Sequence, residues 1–266
     1  MKIIFSHIKY PFSNSKSWTQ LSALSNYHAK QLGFETIFFG DEASLKEFKN
    51  VEYNHFEIIS NKEIEQFPGC LWSMGKLIAL KKVKEPCIHL DLDVFLKDCF
   101  DKEKLNKDII CLNDEIFQNK NMIELQSIFK DRKPIQASGE ETISYNCGIM
   151  GGNDYTTMHN SIDIVFNYVI KNYDFIDSIN SEFSKEEVHK NIFCPTVLVE
   201  QIWLFQILKG FFKKEISKVI HETPFGWHSI SQLLAENCIR HLMNSKYRIC
   251  VQDTMKIKVK ELNLKF

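Results

Sequence analysis

The sequence predicts an α/β fold, a single domain in which helices flank a mainly parallel sheet. Two observations support this prediction. Short apolar segments typical of buried strands alternate with longer segments of helical periodicity along the 266 residues, which is the order expected when helices connect neighbouring parallel strands. No repeat, low-complexity tract or Pro/Gly-rich linker divides the chain, so we expect one domain over residues 1–266.

The first half supplies a strand–helix–strand unit and then a second one. A short apolar run predicts the first strand, and apolar residues at helical spacing predict the helix after it, which Gly33 terminates. The predicted strands of this half are Ile3–Ser6, Glu35–Phe39, about His55–Ile59 and the segment that ends at Asp91. The predicted helices are about Trp18–Leu32 and Leu71–Lys82.

The second half continues the alternation. Strands are predicted at Asp108–Leu112 and Asn146–Gly151, and long helices at Tyr155–Asn172 and Thr196–Leu208. Near the end of the sequence, Lys256–Lys260 alternates lysine with aliphatic residues, which predicts a half-exposed edge strand whose lysines discourage aggregation. Peripheral contact with a membrane surface is the alternative function of these lysines.

Composition excludes several classes of protein. Hydrophobic residues make up 44% and charged residues 25%, as in ordinary soluble domains. A net charge of −1 gives no support for a nucleic-acid partner, and no apolar run is long enough for a transmembrane segment. The eight cysteines include no C-x-x-C pair, so we expect reduced, buried thiols and a cytoplasmic protein.

The most informative segment is the strand that ends in Asp91-Leu92-Asp93, the one Asp-x-Asp of the sequence. Two carboxylates beside an apolar run are costly to desolvate unless a cation accompanies them. The alternative is a strand that ends in a solvated polar turn. The apolar residues on both sides favour the cation, because ligands collect at the carboxyl edge of open α/β sheets. Asp41 follows an earlier strand in the same way.

A second motif runs from Asn146 to Asp154 and contains three of the ten glycines within five residues. Glycines weaken a strand unless its backbone turns sharply or approaches another molecule closely. Asn146 and Gly148 could face the hydroxyl groups of a sugar. The structural alternative is a bulged strand followed by a helix capped by Asn153 or Asp154.

Three more positions place polar groups in apolar surroundings. Lys76 could pair with the acidic motif or with a diphosphate, or it could be a solvated helix lysine. Glu200 and Gln201 interrupt an apolar helix, so either Glu200 lines a wet cleft or it is a first-turn acid that the helix dipole stabilises. His241, with Lys246 five residues later, could complete a metal site, for which His228 is the competing ligand.

Taken in order, these motifs resemble those of GT-A glycosyltransferases. Such enzymes carry a D-x-D after an apolar strand, an N-x-G strand, an acid-Gln helix and a late His with a nearby Lys. The chain is more similar still to uncharacterised bacterial GT-A-like proteins, through Leu21–Leu24, Lys76, Asp91–Leu96 and Asn146–Asp154. Where the more distant family 8 enzymes have H-x-x-G-x-x-K, this chain has H-x-x-x-x-K at His241.

The resemblance implies a Rossmann-like GT-A fold with a nucleotide-binding half at about residues 1–100 and an acceptor half at about 101–266. It also implies transfer of a sugar from a nucleotide sugar, a UDP-sugar first of all, to a saccharide acceptor. Asp91, Asp93 and His241 would hold Mn²⁺ or Mg²⁺, and Glu200 would be a further catalytic residue, as a base if the enzyme inverts. The implied donor-binding residues are Asp41, Lys76, Asn146, Gly148, Gln201 and Lys246.

Two other enzyme classes place Asp91 and Asp93 in comparable roles. A haloacid-dehalogenase-type phosphatase also has D-x-D after an apolar strand, but that fold needs its nucleophile near the start of the domain and a later acidic pair. A metal-dependent nucleotidyltransferase shares the donor and the metal, yet the usual glycine- and Arg/Lys-rich nucleotide loop is missing here. A GT-A domain that only binds sugars is the third alternative.

Overall fold

The computed structural model describes residues 1–8, 16–116, 127–129, 133–134, 136–137, 143–182, 195–219, 239–241 and 256–265. Within them lies a seven-stranded sheet with the order β3-β2-β1-β4-β7-β6-β8. Its strands are β1 (Lys2–His7), β2 (Glu35–Gly40), β3 (His55–Ile58), β4 (Cys87–Leu90), β6 (Ile110–Ile116), β7 (Ile143–Gly152) and β8 (Ser217–Lys218). A separate antiparallel pair consists of β5 (Val94–Leu96) and β9 (Ile239–His241).

The helices lie between the strands and cover the sheet. They are α1 (Lys16–Gln31), α2 (Glu42–Phe48), α3 (Asn61–Glu65), α4 (Met74–Lys82), α5 (Tyr155–Lys171) and α6 (Tyr173–Glu182). A further helical segment, called α7, joins Pro195–Val197, the π-helical Leu198–Trp203, Leu204–Gln206 and the π-helical Ile207–Phe211. Residues 256–261 form a last helix, α8.

Strand directions confirm the predicted α/β class with a mainly parallel sheet. Strands β1 to β4 pair in parallel, and β7 is antiparallel to both of its neighbours, β4 and β6. Two apolar clusters, one on each face of this sheet, contain side chains such as Ile4 and Leu77 on one face and Phe5 and Ile88 on the other. Side chains alternate between the faces of a strand, so Ile4 and Phe5 pack against different helices.

The glycines that end β7 are explained by close backbone packing. Gly151 and Gly152 have φ angles of 145° and 136°, which L side chains rarely adopt. A Cβ atom at Gly151 would collide with the carbonyl oxygen of Cys87, and one at Gly152 with that of Asp108. The close approach at these two positions is therefore between backbone segments of this chain, at β4 and just before β6, and the expected approach to another molecule stays a prediction.

The predicted edge strand at Lys256–Lys260 is wrong, and the prediction of reduced thiols is wrong at Cys99, one of the five described cysteines. Residues 256–261 form a helix, because alternate placement of three lysines does not fix strand pairing when Val259, Leu262 and Leu264 can pack together on α1. Cys99 is disulfide-bonded, whereas Cys70, Cys87, Cys111 and Cys147 are free thiols. Disulfide pairing depends on proximity in the fold, which cysteine spacing does not determine.

No helix in the described part of the chain is long and apolar enough to cross a membrane.

Candidate active site

A buried ionic cluster lies at the carboxyl end of β4. The ammonium group of Lys76 on α4 lies 2.8 Å from Oδ1 of Asp91 and donates a 3.0 Å hydrogen bond to the carbonyl oxygen of Cys147 on β7. It also donates to Oε1 of Glu200 on α7. Lys76 is 6% exposed and Glu200 1%, whereas Asp91 is 27% exposed. Asp91 is therefore the member of the cluster that reaches solvent.

The charges of this cluster depend on one another. Burial opposes the charged form of Lys76, but the carboxylates of Asp91 and Glu200 outweigh it and raise the pKa of the lysine. Burial raises the pKa of Glu200 against the opposing effect of Lys76, and the nearby charge of Asp91 raises it further. A cation shared by two carboxylates stays charged, and burial makes Glu200 take up a proton more readily than an ordinary glutamate does.

The structure answers two alternatives that the sequence left open. Lys76 pairs with carboxylates and is not a solvated helix lysine. Glu200 is buried against Lys76, so its side chain does not line a wet cleft. The expectation of a solvent-facing Glu200 is wrong because an apolar helix can bury one acid if another element brings a cation to it.

A pair of hydroxyl groups fixes α4 and α7 relative to each other. The backbone N–H of Ser73 donates to Oγ1 of Thr196 at 3.1 Å, and the two side-chain oxygens lie 2.7 Å apart. Ser73 lies one turn before Lys76, and Thr196 one turn before Glu200. The contact therefore sets the helices at the distance that the Lys76–Glu200 ion pair requires.

The acidic motif itself is a tight turn held on β7. The N–H of Asp91 donates to the carbonyl oxygen of Gly148 at 3.0 Å, and the N–H of Val94 donates back to the carbonyl oxygen of Asp91 at 3.0 Å. Asp93 is buried, with 2% of its surface exposed. The two carboxylates are thus held in different environments although they are two residues apart.

The side chain of Asn146 accepts a hydrogen bond from the backbone of its own strand, β7. Its Oδ1 atom accepts a 2.9 Å hydrogen bond from the N–H of Gly148, and the residue is buried. Gly148 in turn holds Asp91 through its carbonyl oxygen. The N-x-G motif therefore connects directly to the acidic motif, through the backbone.

Sequence reasoning missed a polar contact next to this cluster. Nε2 of His89 on β4 lies 2.8 Å from Oγ of Ser6 on β1, and Nδ1 lies 3.8 Å from Oδ1 of Asp91. His89 is buried, Nδ1 has no hydrogen-bond partner, and burial together with the charge of Lys76 lowers its pKa well below the usual value. The available signal was a histidine inside an apolar strand, two residues before the first carboxylate.

The remaining predicted residues lie in several places. Asp41 caps α2, its Oδ1 accepting a 2.7 Å hydrogen bond from the N–H of Ser44. Gln201 is partly exposed on α7. Backbone pairing of β5 with β9 sets His241 opposite Val94, the residue after Asp93. His228 and Lys246 lie outside the described residues.

The candidate metal ligands belong to the acidic motif. Among the described residues, no group of three or more His, Cys, Asp or Glu side chains is arranged to hold a metal ion. The chemistry of the acidic motif nevertheless fits a divalent cation, because Asp91 and Asp93 offer carboxylate oxygens, which Mg²⁺ and Mn²⁺ prefer. The strand register sets the backbone of His241 opposite Val94, the residue after Asp93.

Three solved structures illustrate what the fold is similar to. The galactosyltransferase LgtC in complex with donor and acceptor sugar analogs has a TM-score of 0.41 and 15% identity, covering 82% of this chain and 73% of that one. Mouse xyloside xylosyltransferase 1 has a TM-score of 0.40 and 12% identity, and the match covers 82% of this chain and 84% of that one. Core-mannan synthase A from Aspergillus fumigatus, in a Mn/GDP form, has 0.39 and 10%, covering 64% of each chain. Likenesses this low carry no conclusion about activity.

Sequence comparison gives a firmer result. No curated protein matches the chain in sequence. A family model described as a family of unknown function, DUF6734, matches residues 7–256. Because the match extends over nearly the whole sequence, the chain belongs to the DUF6734 family.

Proposed function

We propose that this protein is a metal-dependent glycosyltransferase of the GT-A type. It transfers a sugar from a nucleotide sugar, a UDP-sugar first of all, to a saccharide acceptor. The observation that carries the proposal is the convergence of Asp91, Lys76, Glu200 and the Asn146–Gly148 backbone at the carboxyl end of β4. Ligands of open α/β sheets bind at this edge. We assign residues 1–266 to one domain, with the nucleotide half at about 1–100.

The acidic motif is proposed to receive the diphosphate of the donor. Asp91 and Asp93 would hold Mn²⁺ or Mg²⁺, with His241 as the third ligand. When bound, the metal would offset the negative charge that develops on the leaving nucleoside diphosphate. Asp91 is suited to this role because it is partly exposed, whereas the other two charged side chains of the cluster, Lys76 and Glu200, are buried.

The remaining side chains hold or shape the donor site in this proposal. Lys76 fixes the orientation of Asp91 through a 2.8 Å contact, and Glu200 keeps Lys76 in place, which makes Glu200 a positioning residue. Asn146 and Gly148 face the sugar with backbone groups, and Gln201 and Lys246 complete the donor contacts. Asp41 is proposed to reach the nucleoside. Because Glu200 is buried, retention of configuration, which needs no base at that position, is favoured over inversion.

A cytoplasmic location stays a prediction of the sequence. The disulfide at Cys99 argues against it, since disulfides persist mainly in oxidising compartments.

The proposal is tested by thermal unfolding with UDP-, GDP- and CDP-sugars, with and without Mn²⁺. One class of nucleotide should raise the midpoint only when Mn²⁺ is present, because a ligand that binds the folded state stabilises it. Asp93→Asn should abolish the shift, and Asp101→Asn, an exposed residue at the start of a short helix, should keep it. A shift that survives Asp93→Asn would contradict the proposed metal site.

Product analysis separates the alternatives. Release of nucleoside diphosphate from the stabilising donor indicates sugar transfer or hydrolysis, whereas pyrophosphate formed from a nucleoside triphosphate and a sugar phosphate indicates a nucleotidyltransferase. Hydrolysis of simple phosphate esters, with no response to nucleotide sugars, would favour the phosphatase.

A further inference from the structure

Positive charge is concentrated in the last part of the sequence. Residues 239–266 contain seven of the 33 Lys and Arg residues but only two of the 34 Asp and Glu residues. The chain carries a net charge of −1, so the residues before position 239 are net acidic. A charge asymmetry of this kind indicates a partner with negative charge.

The described part of this segment places three exposed lysines around the exposed side of α8. Val259 of α8 is buried against Leu21, Leu24 and Phe95. The opposite side of α8 carries Ile257, whose side chain is 58% exposed, more than any other large hydrophobic side chain among the described residues. We call this side of α8 the basic face; its members are Lys256, Ile257, Lys258 and Lys260.

Two lysines of this segment have acidic partners in exposed ion pairs. Lys258 lies 3.3 Å from Glu261, and Lys265 lies 3.2 Å from Glu52, with both partners more than half exposed in each pair. Exposed ion pairs contribute little and are screened by salt. The lysines protect no sheet edge either, because residues 256–261 form a helix.

We propose that the basic face docks on the surface of an anionic lipid bilayer. An exposed aliphatic side chain between lysines on a short amphipathic helix matches the two layers of such a surface, with the lysines at the anionic headgroups and Ile257 at the acyl boundary. A soluble polyanion would attract the lysines but would gain nothing from Ile257. The aliphatic residue at the centre of the face therefore favours lipid.

The docked face would lie close to the candidate active site. Phe95, which packs against Val259, is two residues after Asp93 and belongs to β5, the strand paired with the one that contains His241. On the proposed function, on which this step alone rests, docking would present the site to acceptors attached to membrane lipids. We therefore infer a lipid-linked saccharide as the acceptor class.

The docking surface is tested with the full chain and vesicles, without any sugar nucleotide. Flotation is measured on phosphatidylcholine vesicles and on vesicles that also contain phosphatidylglycerol, at low and high salt. Binding should require the anionic lipid and weaken with salt. The double variant Lys256→Gln/Lys260→Gln should bind roughly 30-fold more weakly, given the contribution of each lysine near an anionic surface. Ile257→Ser should bind roughly tenfold more weakly.

Matched controls remove the same groups elsewhere. Lys46→Gln/Lys49→Gln takes two exposed lysines from α2 and its C-cap, and Phe211→Ser removes another exposed apolar side chain. Both should float like the parent. Equal losses in the controls, or equal flotation with and without phosphatidylglycerol, would overturn the proposal. So would parental binding of Ile257→Ser combined with equally tight binding to duplex DNA, because the face would then be a general polyanion site.

Failure of the vesicle test would leave the glycosyltransferase proposal intact, because donor binding is measured in solution. Conversely, vesicle binding by a protein that responds to no nucleotide sugar would support docking and remove the inference about the acceptor. Transfer to a lipid-linked saccharide should weaken in Ile257→Ser, with transfer to a soluble saccharide unchanged.

Discussion

Strands β2 and β4 both end in an aspartate, yet the two carboxylates have different environments. Asp41 follows β2 and caps α2 by accepting a hydrogen bond from Ser44, three residues later. Asp91 follows β4 and contacts Lys76 at 2.8 Å, in a cluster that also includes Glu200. The contact between Asp41 and Ser44 is local, whereas Asp91 contacts a residue from a distant segment of the chain.

The difference shows what distinguishes a helix cap from a candidate catalytic site. A cap satisfies a local N–H group, and serine or asparagine can replace it at little cost. The Lys76–Glu200 contact joins residues 124 positions apart and is buried, where an unpaired charge is expensive. Long-range ionic contacts at the edge of a sheet therefore carry more information about function than the position of an aspartate after a strand.

The largest effect is expected from Lys76→Met. Without the ammonium group, Asp91 and buried Glu200 lose their shared cation, and breaking such a buried pair costs about 3–5 kcal/mol. Urea unfolding measures the loss. Lys82→Met is the matched control, because Lys82 lies on the same helix and is ion-paired with Glu63, but both partners are about one-third exposed. It should lose less than about 1 kcal/mol.

A second substitution identifies the cause of that loss. Lys76→Met combined with Glu200→Leu removes both fully buried charges, so it should recover much of the stability that Lys76→Met loses. If the double variant is less stable than Lys76→Met alone, the cost comes from packing around α4 and the ionic account of the cluster is wrong.

Patterns along the chain predicted the sheet and its helices better than the contacts of the site. Hydrophobic periodicity identified β1, β2, β4 and β7, because each buries apolar side chains on both faces of the sheet. It also raised the pairing of Lys76 with the acidic motif. It did not identify Glu200 as the second partner, since the contact depends on how α4 and α7 pack, fixed by Ser73 and Thr196.

The same limit explains the errors. The lysines of residues 256–260 fit a strand by alternation, but the apolar residues that follow pack on α1 as a helix. His89 gave a visible signal, a polar ring in an apolar strand, and its partner Ser6 lies on a neighbouring strand of the sheet. Register between parallel strands is a tertiary property, so the contact could not be inferred before the strand order was known.

The buried His89, close to the acidic motif, should make the free energy of unfolding depend on pH. Its pKa in the folded protein lies well below 6.5, so the unfolded chain binds the extra proton first as the pH falls. The contribution of His89 to the free energy of unfolding should therefore be constant above about pH 6.5. Below that pH it should fall, by up to about 1.4 kcal/mol per pH unit. Urea unfolding between neutral pH and about pH 5 measures the slope.

His89→Gln should reduce that slope while leaving a smaller one, because burial also lowers the pKa of His28 and His159. An unchanged slope in His89→Gln would show that the buried imidazole is not held neutral.

The smallest effect is expected at Asp41, where two roles can be separated. Asp41→Ala removes the cap of α2 and should cost about 1 kcal/mol, and Asp41→Ser, which keeps a capping oxygen, should restore most of it. Donor binding is then compared for Asp41→Ser and for Asp91→Asn. If Asp41 only caps the helix, Asp41→Ser binds the nucleotide sugar like the parent while Asp91→Asn does not. Loss of binding in Asp41→Ser at parental stability would instead show that this carboxylate reaches the nucleoside. Both strand ends would then take part in donor binding, and Asp41 and Asp91 would differ only in how much each contributes.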